Sequence, residues 1–179
     1  MPLSSAEIEA RARPLRLLLF DVDGVLSDGS VIIHTGGSEQ KHFYIRDGAA
    51  IVWAQRAGLL VGLLSGRTSD ATVRRAAELR IPIVLQGETD KRAAYEGLLD
   101  AHDLRDAEVA YMGDDLLDLP VLARAGLSAA PADAADDVRR TVHWVSRYDG
   151  GRGAAREMIE LILRAQGHWD AIVASFLSP

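Results

Sequence analysis

The stretch from Leu15 to Gly29 constrains this chain most. An apolar run, Leu15 to Phe20 with only Arg16 interrupting it and Leu17 to Phe20 unbroken, stops at Asp21-Val22-Asp23-Gly24, and Asp28-Gly29 marks a turn shortly after. A short continuous apolar run bounded by turn residues is the pattern of a strand buried on both faces. When such a strand ends in two acids and a glycine, it delivers charge to one edge of a sheet. In open α/β sheets, ligands sit at the carboxyl ends of the strands. The spacing therefore places Asp21 and Asp23 at a site whose partners come from later in the chain.

The remaining sequence alternates. A hairpin is expected from Ser30 to Ile45 around Gly36-Gly37, broken by Arg46-Asp47-Gly48, with a helix over 49–57 ended by Gly58. Further strands are expected at 59–64, 81–85, 109–112, 126–128 and 142–145. Helices are expected from Thr68 or Ser69 to Leu79, from Lys91 to His102, from Asp118 to Arg124, within 131–140, and from Ala154 to Ala165. Ser4 or Ser5, with an acid one turn later, caps a short N-terminal helix. Strand and helix in alternation predict an α/β fold: a parallel sheet flanked by helices, in one domain spanning residues 1–179. The tail, 168–179, has apolar residues at near-helical spacing and no assigned task.

Three strands in this scheme end in chemically distinctive residues: Asp21 and Asp23, then Ser65, then Asp114. A parallel sheet brings these ends to one edge. Three converging carboxylates repel unless a cation lies among them, and oxygen-only ligands select a hard ion, Mg²⁺ above all where the substrate is a phosphate. The five histidines are scattered and form no ligand pair, and there is no cysteine, so thiolate zinc sites, disulfides and a cysteine nucleophile are excluded. Close acids push their pKa values apart, so one serves as nucleophile or cation ligand while the other carries a proton. Ser65 is either an ordinary helix cap or a hydroxyl donor to a phosphate at a helix start. Lys91 sits in the first turn of a helix, where a cation opposes the macrodipole, and so hints at a task beyond stability. Asp115 is readable as a cap and Asp118 as a partner for Lys91. Together these residue types suit phosphoryl transfer.

The four segments Asp21-Val-Asp-Gly-Val25, Ser65, Lys91 and Gly113-Asp-Asp-Leu-Leu-Asp118 occur in the order of the four motifs of the haloacid dehalogenase-like phosphatases, which the chain thereby resembles. The resemblance implies that Asp21 is the nucleophile and that Asp23 protonates the leaving oxygen and then activates water. It implies that Ser65 and Lys91 hold the phosphoryl group. Asp21, the main-chain carbonyl of Asp23, and Asp114 would bind Mg²⁺, with Asp115 and Asp118 supporting them from behind. A closer resemblance, carried by Ile45-Arg-Asp-Gly48, Ser65-Gly-Arg67, Gln86-Gly87, Tyr111-Met-Gly-Asp-Asp115, Gly126-Leu-Ser128 and Gly150-Gly-Arg-Gly153, is to the 3-deoxy-D-manno-octulosonate 8-phosphate (KDO 8-phosphate) phosphatase family. It implies a Mg²⁺-dependent hydrolase of lipopolysaccharide sugar synthesis. It also implies a homotetramer without a cap domain, the C-terminal segment of one subunit lying near a neighbouring site. Ser65 stands where threonine is commoner in the family, and the tail beyond Gly167 lies outside the family pattern.

The spacing supports the capless form separately, because neither Gly29 to Ser65 nor Ser65 to Lys91 has room for a folded lid. Lys41, Arg46, Arg67 and Arg152 are candidate cations for an acidic sugar phosphate, with Gly66 and Asp47 as further contacts. Gly150-Gly-Arg-Gly153 either reaches a neighbour's site or merely starts the last helix. Formal net charge is -6, which disfavours nucleic acid and anionic membrane as partners. No apolar run approaches a membrane span, and the N-terminus lacks an apolar signal core, so a cytoplasmic enzyme is expected. Two alternatives stand beside this reading: a phosphatase for a related nonulosonate 9-phosphate, and a catalytically idle partner-binding domain.

Overall fold

The computed structural model describes residues 3–177. Helix α1 (Ser5–Ala12) opens with a capping box, the Ser4 hydroxyl accepting from Glu7 N while the Glu7 carboxylate accepts from Ser4 N. Strand β1 (Leu17–Phe20) is wholly buried and leads into the acid loop. The hairpin strands β2 (Ile32–Ile33) and β3 (Glu39–Gln40) are antiparallel and very short. Then follow α2 (Ile45–Arg56), β4 (Leu60–Ser65), α3 (Asp70–Leu79), β5 (Ile83–Gln86), α4 (Lys91–His102) and β6 (Val109–Met112). The chain continues through α5 (Leu119–Leu122), β7 (Leu127–Ala130), α6 (Asp136–Thr141), β8 (Trp144–Val145), α7 (Ala154–Ala165) and α8 (Trp169–Leu177).

Six strands form a sheet in the order β5-β4-β1-β6-β7-β8, parallel at every pairing. Alternate residues of β1 face opposite sides. Leu18 and Phe20 join the core beneath α1, α2 and α7, while Leu17 and Leu19 join the core beneath α4 and α5. A sheet apolar on both faces needs helices on both, and this is the expected architecture. Phe20 is in register with Leu63 on one side and Met112 on the other, so Asp21, Ser65 and Asp114 emerge at the same edge.

Two local expectations change. Helix α2 starts at Ile45, inside the expected hairpin, and runs through Arg46-Asp47-Gly48 rather than after them. Asp47 sits in its first turn, where an acid favours the helix dipole. Gly48 is there for packing: a Cβ would lie 2.2 Å from the Arg75 guanidinium and 3.1 Å from Leu79. Ser69 precedes α3 without a side-chain cap, and its N–H instead donates to the Gln86 side chain at 2.9 Å. The tail is helical and folds back on its own chain, with Trp169 and Phe176 edge-on to Trp53 at 5.8 and 5.9 Å.

Candidate active site

At the carboxyl edge of β1, β4 and β6 lies a cavity of about 400 Å³. Its walls include Asp21, Asp23, Ser65, Gly66, Arg67, Lys91, Asp114, Asp115 and Asp118. The sheet register brings Asp21, Ser65 and Asp114 to one edge, and the start of α4 and the turn after β6 add Lys91 and Asp118.

Lys91 organises the floor. It is buried, and its ammonium lies 2.9 Å from Asp21 Oδ1 and 2.6 Å from Asp118 Oδ1. Burial works against its charge, but the two carboxylates outweigh that and hold its pKa above the usual lysine value. Asp118 is saturated. Besides Lys91 it accepts from the Tyr111 hydroxyl and from the backbone N–H groups of Asp114 and Asp115 at 2.9 and 3.1 Å. It thus holds both the lysine and the loop that carries Asp114.

Burial and neighbouring carboxylates disfavour the charged forms of Asp21 and Asp114. Burial, then the Asp118 carboxylate, raises Asp21 to about 6 against the pull of Lys91. Burial, then the nearby Asp21, raises Asp114 to about 8. Asp114 Oδ1 is buried and receives no hydrogen bond among the described residues. Oxygen atoms of Asp21, Asp114 and Asp118 all lie within 4.8 Å of one another, with no histidine among them. Gly24 makes this close approach possible: at φ +86°, a Cβ there would sit 2.1 Å from Asp114 Oδ2.

Asp23 faces elsewhere. Its carboxylate pairs with the buried Lys41 ammonium from the segment after β3, and Arg67 Nε lies 3.7 Å away. Arg67 also reaches Glu39 at 2.9 Å. The Ser65 hydroxyl is buried and accepts from Arg67 N at 3.3 Å. Asp115 is exposed and caps the turn that follows it, accepting from Leu116 N at 2.8 Å.

Arg46, Asp47 and Arg152 do not line this cavity. Asp47 is buried and accepts from Arg156 N at 2.8 Å, thereby capping α7, whose own N-cap residue, Gly153, has no side chain to do so. Arg152 lies 3.9 Å from Asp28. The Gly150-Gly151 turn presses on the acid loop: a Cβ on Gly150 would sit 1.8 Å from the Gly24 carbonyl oxygen, and Gly151 N donates to Val25 O at 2.8 Å. Sequence reasoning gave no site role to Tyr111, whose hydroxyl donates to Asp118, to Glu39, which pairs with Arg67, or to Thr89, which lines the cavity. Tyr111 looks like one more core residue of β6, while Thr89 gives a faint signal only through its position beside Lys91.

Residues 77–158 match the model of the haloacid dehalogenase-like hydrolase family. The 3-deoxy-D-manno-octulosonate 8-phosphate phosphatase KdsC of Escherichia coli is 42% identical over 166 residues, 93% of this chain and 88% of that protein. The crystal structure of a probable YrbI family phosphatase from Pseudomonas syringae superposes with a TM-score of 0.96 at 42% identity, covering 97% of this chain and 99% of the other. That of the 3-deoxy-D-manno-octulosonate 8-phosphate phosphatase from Moraxella catarrhalis, in complex with magnesium, phosphate and KDO, superposes at 0.93 with 38% identity, covering 95% and 98%. With the acid cluster and the six-stranded sheet, these likenesses show that the chain belongs to the 3-deoxy-D-manno-octulosonate 8-phosphate phosphatase family of haloacid dehalogenase-like hydrolases.

Proposed function

We propose that this protein is a Mg²⁺-dependent phosphomonoesterase that hydrolyses KDO 8-phosphate to KDO and phosphate. The observation that carries this reading is the buried Lys91 held between Asp21 and Asp118 beneath an open cavity, beside an Asp114 carboxylate with an unfilled oxygen. In the proposed reaction Asp21 attacks phosphorus and the ester oxygen departs, leaving an aspartyl-phosphate. Asp23 donates the proton to that oxygen and later takes one from the water that hydrolyses the intermediate. Lys91 and the Ser65 hydroxyl, with the backbone N–H groups around Gly66, hold the phosphoryl oxygens.

The donor set fits a hard divalent cation: it offers oxygens only, Asp114 has no cation partner among the described residues, and one of its oxygens is orphaned. Asp21 and Asp114, with the Asp23 carbonyl, would hold Mg²⁺, and Asp118 stays engaged by its four donors. When bound, the ion supplies charge neutralisation that lets an anionic nucleophile meet a phosphate dianion.

Lys41 and Arg67 reach Asp23, which favours a role near the leaving group over one at a distant sugar carboxylate. We propose a homotetramer in the cytoplasm. The exposed Ile32, Ile33 and Ile45 around the hairpin, and Leu116 and Leu117 beside the acids, support closure by a neighbouring copy. No helix is long and apolar enough to cross a membrane.

The test is phosphate release from a panel of sugar phosphates, with and without Mg²⁺. The expected outcome is the highest kcat/KM on KDO 8-phosphate, dependence on the cation, and loss of turnover in Asp21→Asn. Preference for a nine-carbon acid 9-phosphate would reassign the substrate, and no turnover on any member of the panel would overturn the enzymatic reading. Light scattering tests the tetramer, which a fully active monomer would refute.

A further inference from the structure

A second cavity, of about 270 Å³, shares no lining residue with the catalytic one. Its walls are the start of α2 with Tyr44 and Arg46, the turn after β8 with Arg147 and Arg152, and the first turns of α7 with Arg156. Four guanidiniums there face only two carboxylates, in a chain whose formal net charge is -6.

The two acids are already used. Glu157 pairs with Arg147, and Glu160 pairs with Arg156 at 2.5 Å. Arg156 also lies over the Trp53 ring at 4.6 Å, and Arg147 over the Tyr148 ring at 5.5 Å, so both of these guanidiniums are held in place. Arg46 has no ion pair among the described residues, and Arg152 has only Asp28 at 3.9 Å. Two positive charges in one concavity therefore lack a close partner.

We propose that this cavity is a second binding site, for a small multiply charged oxyanion held by Arg46 and Arg152 and independent of the catalytic acids. Each guanidinium presents a planar fork suited to a carboxylate or a phosphate. A neutral ligand leaves both forks unmatched, and a cation is repelled. The volume lies just below the usual range for drug-sized ligands, so the occupant is a small metabolite: a phosphate ester or a compound with two or three carboxylates.

Calorimetric titration of the whole protein, without divalent cation, tests this with citrate and inorganic phosphate as the two probes. Binding of either probe is expected to weaken at least tenfold in Arg46→Gln/Arg152→Gln and to persist in Ser65→Ala. A stronger response to citrate assigns the site to carboxylates, and a stronger response to phosphate assigns it to phosphate esters. Both altered arginines are exposed, and a thermal melt matching the unaltered protein shows that the double variant is folded. The proposal is overturned by absence of heat at about 10 mM probe, where a millimolar site would be largely filled. It is equally overturned by binding that the arginine changes leave intact, or by binding lost in Ser65→Ala. Turnover of sugar phosphates enters none of these outcomes, so failure here leaves the proposed reaction standing.

Discussion

Replacing Asp118 by asparagine removes one charge and no volume, and the structure sets what that costs. The carboxylate has four donors around it: the Lys91 ammonium, the Tyr111 hydroxyl, and the N–H groups of Asp114 and Asp115. An asparagine keeps one accepting oxygen. Its NH₂ must then point either at Lys91 and Tyr111 or at the two backbone donors. Breaking a buried pair from one side costs about 3–5 kcal/mol. Asp21 remains 2.9 Å from Lys91, so the low end, about 3 kcal/mol, applies. For a chain of this size each kcal/mol lowers Tm by about 2–4 °C, which gives a fall of roughly 6–12 °C. Thermal unfolding followed by circular dichroism at pH 7 and fixed protein concentration measures it. A Tm within about 2 °C of the unaltered protein would refute the account of Asp118 as the charge that holds Lys91 and the Asp114 loop together.

Asp21→Asn should abolish phosphate release while leaving Tm equal or higher, because it removes a carboxylate whose charge is disfavoured by burial first and by Asp118 second. Mg²⁺ should raise Tm, by about 2.7 kcal/mol of stability at a hundred times its dissociation constant, and Asp114→Asn should erase the effect. Since protons compete for Asp114, raised to about 8, Mg²⁺ affinity measured by calorimetry should climb from pH 6 to pH 8. Asp47, raised by burial from 3.8 to about 6, binds its proton more tightly folded than unfolded, so its stabilising contribution is present below about pH 4 and disappears as pH rises through 6. Melts of Asp47→Asn across that window should lack this part of the pH slope. Gly150→Ala, whose Cβ would meet the Gly24 carbonyl at 1.8 Å, should lower both Tm and kcat, as a melt and a single-substrate assay will show.

How much of this was legible in the sequence depends on how local each signal was. The ends of β1, β4 and β6 could be read because a buried apolar run that stops at acids or serine is a pattern within one segment, and parallel pairing does the rest. The start of α2 was not legible, because Asp47-Gly48 has the composition of a turn. Only the packing of Arg75 and Leu79 against Gly48 explains the glycine, and that contact lies outside any local window. Asp47 shows the same limit. Its motif marks it as special, and in this chain one of its carboxylate oxygens caps a helix that starts more than a hundred residues later. Charge in a motif says that a side chain has a partner; it does not say on which surface. Arg46 and Arg152, expected at an acidic sugar phosphate with the Arg152 segment near a neighbour's site, line a different cavity of their own chain.

The division between Asp21 and Asp23 follows from strand geometry more than from any difference between the two side chains. Residues two apart at a strand end leave in the same general direction only while the strand stays regular, and here the chain turns at once into the Val22–Ser27 loop. Asp21 stays with the floor built by α4 and β6, against Lys91 and Asp118. Asp23 meets the segment after β3, where Lys41 is buried against it. The hairpin is far too small to cover the cavity, yet it supplies the cation that holds the proposed proton donor, and Glu39 beside it ties down Arg67. The few residues between Ser38 and Phe43 therefore hold the proposed acid–base group, Asp23, from the hairpin side. If that is their task, Lys41→Met should reduce kcat and shift its pH profile while Mg²⁺-dependent stabilisation, which rests on Asp21 and Asp114, stays unchanged. An unaltered pH profile would mean that Lys41 serves the hairpin alone.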